Sequence, residues 1–126
     1  MPITFVIDRV LQRMMTHADG VVTYAELNEH LNAEEQERGL GLPELIEASG
    51  ATTDVNTGNV MRLVQRAART SQSVPLGPTA IVVQDAVAFG MARMYSILMD
   101  RVGAPVGVFR DRAEAISWLE SISSPT

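Results

Sequence analysis

Ile3, Phe5 and Ile7 alternate with Thr4 and Val6, which is the period of a strand. The next stretch fits two patterns. Val6, Val10 and Met14 are spaced as on a helix, whereas Leu11 to Thr16 also suits a second strand. Gly20 then breaks the chain. Thr23-Tyr24-Ala25-Glu26 has the form of a capping box, with a Thr hydroxyl for a free helix amide and a Glu reaching back. It opens a helix with Leu27 and Leu31 on the inner face, Glu34, Glu35 and Glu37 outside, and Gly39 and Gly41 at its end. Leu42 to Ala48 predicts a short strand centred on Leu45-Ile46, and Thr52 to Gly58 a turn and helix start. Val60, Leu63, Val64, Ala67 and Ala68 return to one helical face.

After a loop from Thr70 to Pro78, Thr79-Ala80-Ile81-Val82-Val83 forms an unbroken apolar run, as in a strand buried on both faces. Asp85 caps a helix reaching about Val102, with Gly103 as its stop. Val106 to Phe109 is a last short strand. Asp111-Arg112-Ala113-Glu114 is a second capping box, opening a helix that turns Ala115, Ile116, Leu119 and Ile122 inward. With a hairpin turning near Asp8-Arg9, the order is ββαβαβαβα. Alternating strands and helices from Leu42 onward imply parallel neighbours joined by right-handed crossovers. The expected fold is α/β: a small mixed sheet, parallel at its core with an N-terminal hairpin, and helices packed on it. One domain spans residues 1–122, leaving 123–126 as a frayed tail.

Composition narrows the function classes. A chain of 126 residues, 46% hydrophobic, can bury a core without covalent staples. The absence of cysteine removes disulfides and thiolate metal sites. A net charge of −5 gives no general attraction to nucleic acid or anionic lipid. Arg62, Arg66 and Arg69, the densest basic group, share a helix face best read as solvated. The N-terminus lacks the pattern of a signal peptide and no apolar run is long enough to span a bilayer, so a cytoplasmic location is expected.

The stretch Gly77-Pro78-Thr79-Ala80-Ile81-Val82-Val83, then Ala88-Phe89-Gly90-Met91-Ala92-Arg93-Met94-Tyr95, Val108-Phe109-Arg110-Asp111, Glu114-Ala115 and Trp118-Leu119, resembles the SpoIIAA-like proteins. These are related in fold to STAS domains, the anti-sigma-factor antagonists, and show similarity to lipid-binding domains of the Sec14 type. The resemblance covers nearly the whole chain and also favours the N-terminal hairpin. It implies a STAS-like fold and, by way of the antagonists' phosphorylated serine, points to Thr57 within Asp54-Val55-Asn56-Thr57-Gly58. Val55 stands where that motif has aspartate, and the acceptor is Thr in place of Ser. Asn56 or Thr57 serving as a plain helix cap is the competing reading.

The helix from Ala86 to Val102 is apolar around most of its circumference, and such a helix must be covered on more than one side. Phe89, Met91, Met94, Tyr95 and Leu98 are therefore candidates for a homodimer surface or an apolar pocket, with core packing as the alternative. Support for catalysis is thin. His17 and His30 lie outside any metal-ligand spacing, no nucleotide loop or nucleophile elbow occurs, and Glu34-Glu35-Gln36-Glu37 reads as a solvated face. No metal, cofactor or catalytic residue is assigned. The sequence points to a non-enzymatic regulatory or protein-interaction module of STAS-like type, dimeric through the apolar helix. A carrier or sensor of a small apolar ligand and a regulator switched at Thr57 are the alternatives. An enzyme would need His17, His30 or an arginine–carboxylate group to converge in one cleft.

Overall fold

The computed structural model of the protein describes residues 2–123. Five strands form one sheet in sequence order: β1 (Ile3–Asp8), β2 (Arg13–Val22), β3 (Glu44–Thr53), β4 (Thr79–Val83) and β5 (Val106–Phe109). Only β1–β2 is antiparallel; the other three pairings are parallel. The described residues also form four helices: α1 (Tyr24–Gln36), α2 (Thr57–Ser71), α3 (Ala86–Met99) and α4 (Arg112–Ser123). The ββαβαβαβα order expected from the pattern is the observed one. Among the described residues, no helix is long and apolar enough to cross a membrane.

From β2 onward, parallel strands laid down side by side in sequence order and joined by right-handed crossovers place α1, α2 and α3 on the same face of the sheet. The chain leaves β5 without crossing back, and α4 covers the opposite face. There Leu45, Ala80 and Val82 pack on Ala115 and Leu119, with Met15, Phe109 and Trp118 around them. The period-2 alternation of each strand divides the side chains accordingly. Thr16, Ala18, Glu44, Ile46, Ala48 and Ile81 point to the three-helix face.

Several boundaries differ from the sequence expectation. The hairpin turns over Arg9 to Gln12, so Val10 and Leu11 stand exposed at its tip and strand begins at Arg13. Gly20 does not break the chain: it lies inside β2 with φ 67°. A register shift between His17 and Asp19 lets β2 and β3 pair again from Asp19↔Gly50 to Val22↔Thr53, which extends β3 to ten residues. The left-handed conformation that glycine tolerates keeps β2 in this renewed pairing.

α1 ends at Gln36, before the glycines. Its last turn closes in a Schellman arrangement: Gly39 N donates to Glu34 O (2.8 Å) and Arg38 N to Glu35 O (3.1 Å), with Arg38 at φ 59°. α3 stops at Met99, and a turn carries the chain to Gly103. The capping boxes at Thr23/Glu26 and Asn56/Asn59 are complete, and Asp85 accepts from Ala88 N (3.0 Å). Asp111 supplies half of the expected box, accepting from Glu114 N (3.3 Å). Ser123, expected in the tail, is the last residue of α4; residues 124–126 lie outside the described part.

Gly77 passes against the loop after α1. A Cβ there would stand 2.4 Å from the carbonyl oxygen of Leu42, a backbone atom that cannot swing away. Gly77→Ala is expected to lower stability by about 1–3 kcal/mol, the usual cost of overpacking. Gly90, exposed within α3 with nothing within 4 Å of its absent Cβ, offers the contrast. Gly90→Ala is expected to raise stability by up to about 1 kcal/mol through helix propensity. Urea denaturation midpoints of the two variants, moving in opposite directions, check both.

Candidate functional site

The apolar stripe of α1 follows the helical repeat through Leu27, His30, Leu31 and Glu34. Two of its four positions are thus ionisable, and both point at the sheet. His30 is 8% exposed and Glu34 only 3%. Directly opposite stands Glu44, the first residue of β3 and 7% exposed. The expectation of a solvated Glu34-to-Glu37 face therefore fails at Glu34. Heptad spacing from Leu27 carries that residue inward while Glu35 and Glu37 stay in solvent.

One imidazole nitrogen serves two carboxylates. His30 Nε2 lies 3.0 Å from Glu44 Oε2 and 2.5 Å from Glu34 Oε1. The nitrogen's single hydrogen can be aimed at one of them only. Only the contact to Glu44 has hydrogen-bond geometry, and Glu34 Oε1 is left buried and without a hydrogen bond of normal geometry. Thr16 on β2 donates its hydroxyl to the same Glu44 Oε2 at 2.6 Å. Phe5 on β1 meets the His30 ring edge-on, with centroids 5.4 Å apart.

Burial alone would lower the pKa of His30, but the hydrogen bonds and charges of Glu34 and Glu44 outweigh it and carry it up to about 9. Burial raises Glu34 to about 7, with Glu44 adding to the effect and His30 opposing it. Tyr95 on α3 faces the same group; burial, then the charges of Glu44 and Glu34, push its phenol above the usual range. The cluster can accordingly keep an exchangeable proton near neutrality. Its three donor atoms also lie within 4.8 Å of one another, a grouping able to hold a metal ion.

The cluster forms part of the wall of a cavity of about 240 Å³ between the sheet and helices α1 to α3. Its other walls are mostly apolar: Ala18, Leu27, Ile46, Val60, Leu63, Ile81, Met91 and Met99 are among them. Arg66 of α2 also lines it and ties α2 to α1. Its guanidinium donates to Asn28 Oδ1 (3.1 Å), Asn32 Oδ1 (2.8 Å) and Glu35 Oε1 (3.0 Å). Arg66 is thus an interhelical clamp, where the sequence suggested a solvated face.

The residues singled out on α3 separate. Met91 and Tyr95 line the cavity; Phe89, Met94 and Leu98 do not. Phe89 instead carries the guanidinium of Arg110 over its ring, 4.3 Å from the centroid. Thr57 is exposed in the first turn of α2, where Asn56 is the cap. His17 is exposed on β2, apart from the cluster. Sequence reasoning missed His30, Glu34 and Glu44 as a group. The available signal was the i, i+3, i+4, i+7 spacing from Leu27; nothing local marked Glu44, which only the β2–β3 pairing brings near.

An α/β module with a polar cluster at the wall of an apolar cavity is the class this arrangement defines. No family model matches the chain, and no curated protein matches it. Among solved structures it is similar to an uncharacterized protein from the DUF3478 family with a SpoIIAA-like fold, from Shewanella loihica PV-4. The TM-score is 0.59, at 16% identity over 93% of each chain. At that identity the likeness is one of fold: the chain has a SpoIIAA-like fold, as its sequence resemblance implied.

Stability should depend on pH through this cluster. His30 has its pKa raised to about 9 from 6.5, so its contribution is whole below about 6.5 and is lost as pH climbs through about 9. Glu34 is raised to about 7 from 4.5; folding favours its protonated form, and that stabilisation fades as pH rises through about 7. With chelator present, the thermal midpoint is expected to fall from about pH 5 to about pH 9. Glu34→Gln should flatten the lower half of that slope. A midpoint that rises over this range, or a slope unchanged in the variant, contradicts the assignment.

Proposed function

We propose that the protein is a binding module for a small, mainly apolar molecule carrying one polar group, and that it binds this molecule without turning it over. The observation behind this reading is the cavity, whose apolar walls converge on one buried set of polar side chains. That is the usual composition of a ligand site, where apolar surface supplies affinity and a few polar groups fix orientation. At about 240 Å³ the space falls below the roughly 300–1,000 Å³ of drug-sized pockets. A single ring system or short chain suits it. Glu34, with an unpaired oxygen, is the natural partner for a hydroxyl or amine on the ligand.

This reading takes precedence over a dimeric protein-contact module because Met91 and Tyr95, two of the residues that suggested a dimer, line the cavity. The SpoIIAA-like fold is compatible with either, since a fold does not fix a function.

The test uses the fluorescent apolar amine 1-naphthylamine, a single ring system with one polar group. Its emission is expected to rise saturably at one probe per chain and to be displaced by short-chain alcohols. Ala92→Phe, which fills the space from α3, should abolish the rise while leaving the far-ultraviolet circular dichroism unchanged. Absence of saturable binding, or a folded Ala92→Phe protein that binds like the parent, overturns the proposal.

A further inference from the structure

We propose that His30, Glu34 and Glu44 form a binding site for a divalent transition-metal ion of the zinc class. Two separate observations lead there. The first is the donor set: one imidazole nitrogen and two carboxylate oxygens, from α1 and β3, lie within 4.8 Å of one another. The second is Glu34 Oε1, which faces this group with no hydrogen-bond donor in line, on a residue 97% buried by its 3% exposure. A buried carboxylate oxygen without a donor is costly unless something positive meets it. His30 Nε2 lies 2.5 Å from this oxygen but off the line of a hydrogen bond, a geometry it keeps only toward Glu44.

The distances suit an ion after a small outward movement of the side chains. Zinc takes histidine nitrogen and carboxylate oxygen at about 2.0–2.2 Å, so tetrahedral neighbours sit roughly 3.4 Å apart. Here the nitrogen lies 2.5 and 3.0 Å from the two oxygens. Glutamate and histidine side chains can separate by the remaining fraction of an ångström to about one ångström through their own torsions. Calcium is the poorer match, since it takes about six to eight oxygens, and a nitrogen with two carboxylates suits zinc, manganese or iron better. The Thr16 hydroxyl on Glu44 Oε2 is the kind of outer hydrogen bond that holds a ligating carboxylate in place.

Three protein ligands leave a coordination position free. His30, Glu34, Glu44, Thr16 and Tyr95 all line the cavity, so that position faces its interior. The polar group of the proposed organic ligand would complete the shell there; this last point rests on the pocket reading, whereas the ion site does not.

The chelator-treated full chain is titrated with Zn²⁺ by calorimetry and with Co²⁺ by visible absorption, with no organic ligand present. One ion per chain is expected, together with the d–d absorption of Co²⁺ in a low-symmetry site. Glu34→Gln and Glu44→Gln should each weaken Zn²⁺ at least tenfold, and His17→Gln should leave it unchanged. Zn²⁺ should also raise the thermal midpoint of the parent and not of Glu34→Gln, a readout available even where a variant is less stable. No uptake by the parent, or uptake that survives both Glu variants, overturns the ion site. 1-Naphthylamine binding measured in EDTA tests the pocket separately, so either proposal can fail while the other stands.

Discussion

The handedness of the crossover connection governs this molecule. Each parallel pair from β2 to β5 is joined by a helix that must pass on the same side, because a right-twisted strand followed by a right-handed helix returns to the sheet only that way. With strands in the order of the sequence, that rule gathers α1, α2 and α3 on one face and leaves the other to α4. The α4 face closes around small and branched side chains, Ala80, Val82 and Ala115 beneath Leu119. The three-helix face has to span more sheet, and α1 brings it a stripe in which every second residue is ionisable. The cavity lies where apolar packing on this face runs out.

A histidine and two glutamates in such a place are hard to explain as a device for stability. Removing charges from water costs several kcal/mol per ion in real proteins, and mutual attraction repays that only when every lone pair is met. Here one oxygen is not met. The cluster contains His30, whose carboxylate neighbours favour its protonated form, Glu44, which also accepts from Thr16, and Glu34, which burial draws toward its neutral form. An apolar trio of similar volume would fill the same space more cheaply. The arrangement makes physical sense if something enters the cavity and uses the oxygen that the protein leaves unpaired.

The strand and helix order could be read from the chain because it depends on local patterns: the β1 alternation, the Thr79–Val83 run, the caps at Thr23 and Asp85. Boundaries went astray where a long-range contact overrides local chemistry. Gly20 looks like a break, yet pairing with Ala51 holds it in a strand. Arg38 takes the left-handed position that Gly39 seemed to claim. The site was less legible, for two reasons. Glu34 sits in a run of acidic residues that suggests solvent, and only the strict repeat from Leu27 sets it apart from Glu35. Glu44 belongs to the site through the β2–β3 pairing, which brings its side chain to the hydroxyl of Thr16, 28 residues away, and which a single sequence does not display. The surplus of apolar residues on α3 was visible, but its division into a cavity side and an outer side required knowing where α2 and the sheet stand.

Arg66 has a further consequence. The three α1 side chains it grips, Asn28, Asn32 and Glu35, recur every three or four residues and so mark a single line along that helix. Gripping a line fixes a helix's azimuth, its rotation about its own axis, more firmly than gripping a point. The line lies about a third of a turn from the stripe of Leu27, His30, Leu31 and Glu34. A guanidinium on a neighbouring helix therefore acts as a key in a slot. It sets the angle at which α1 presents its imidazole and its unpaired carboxylate to the interior, although it belongs to neither α1 nor the cluster.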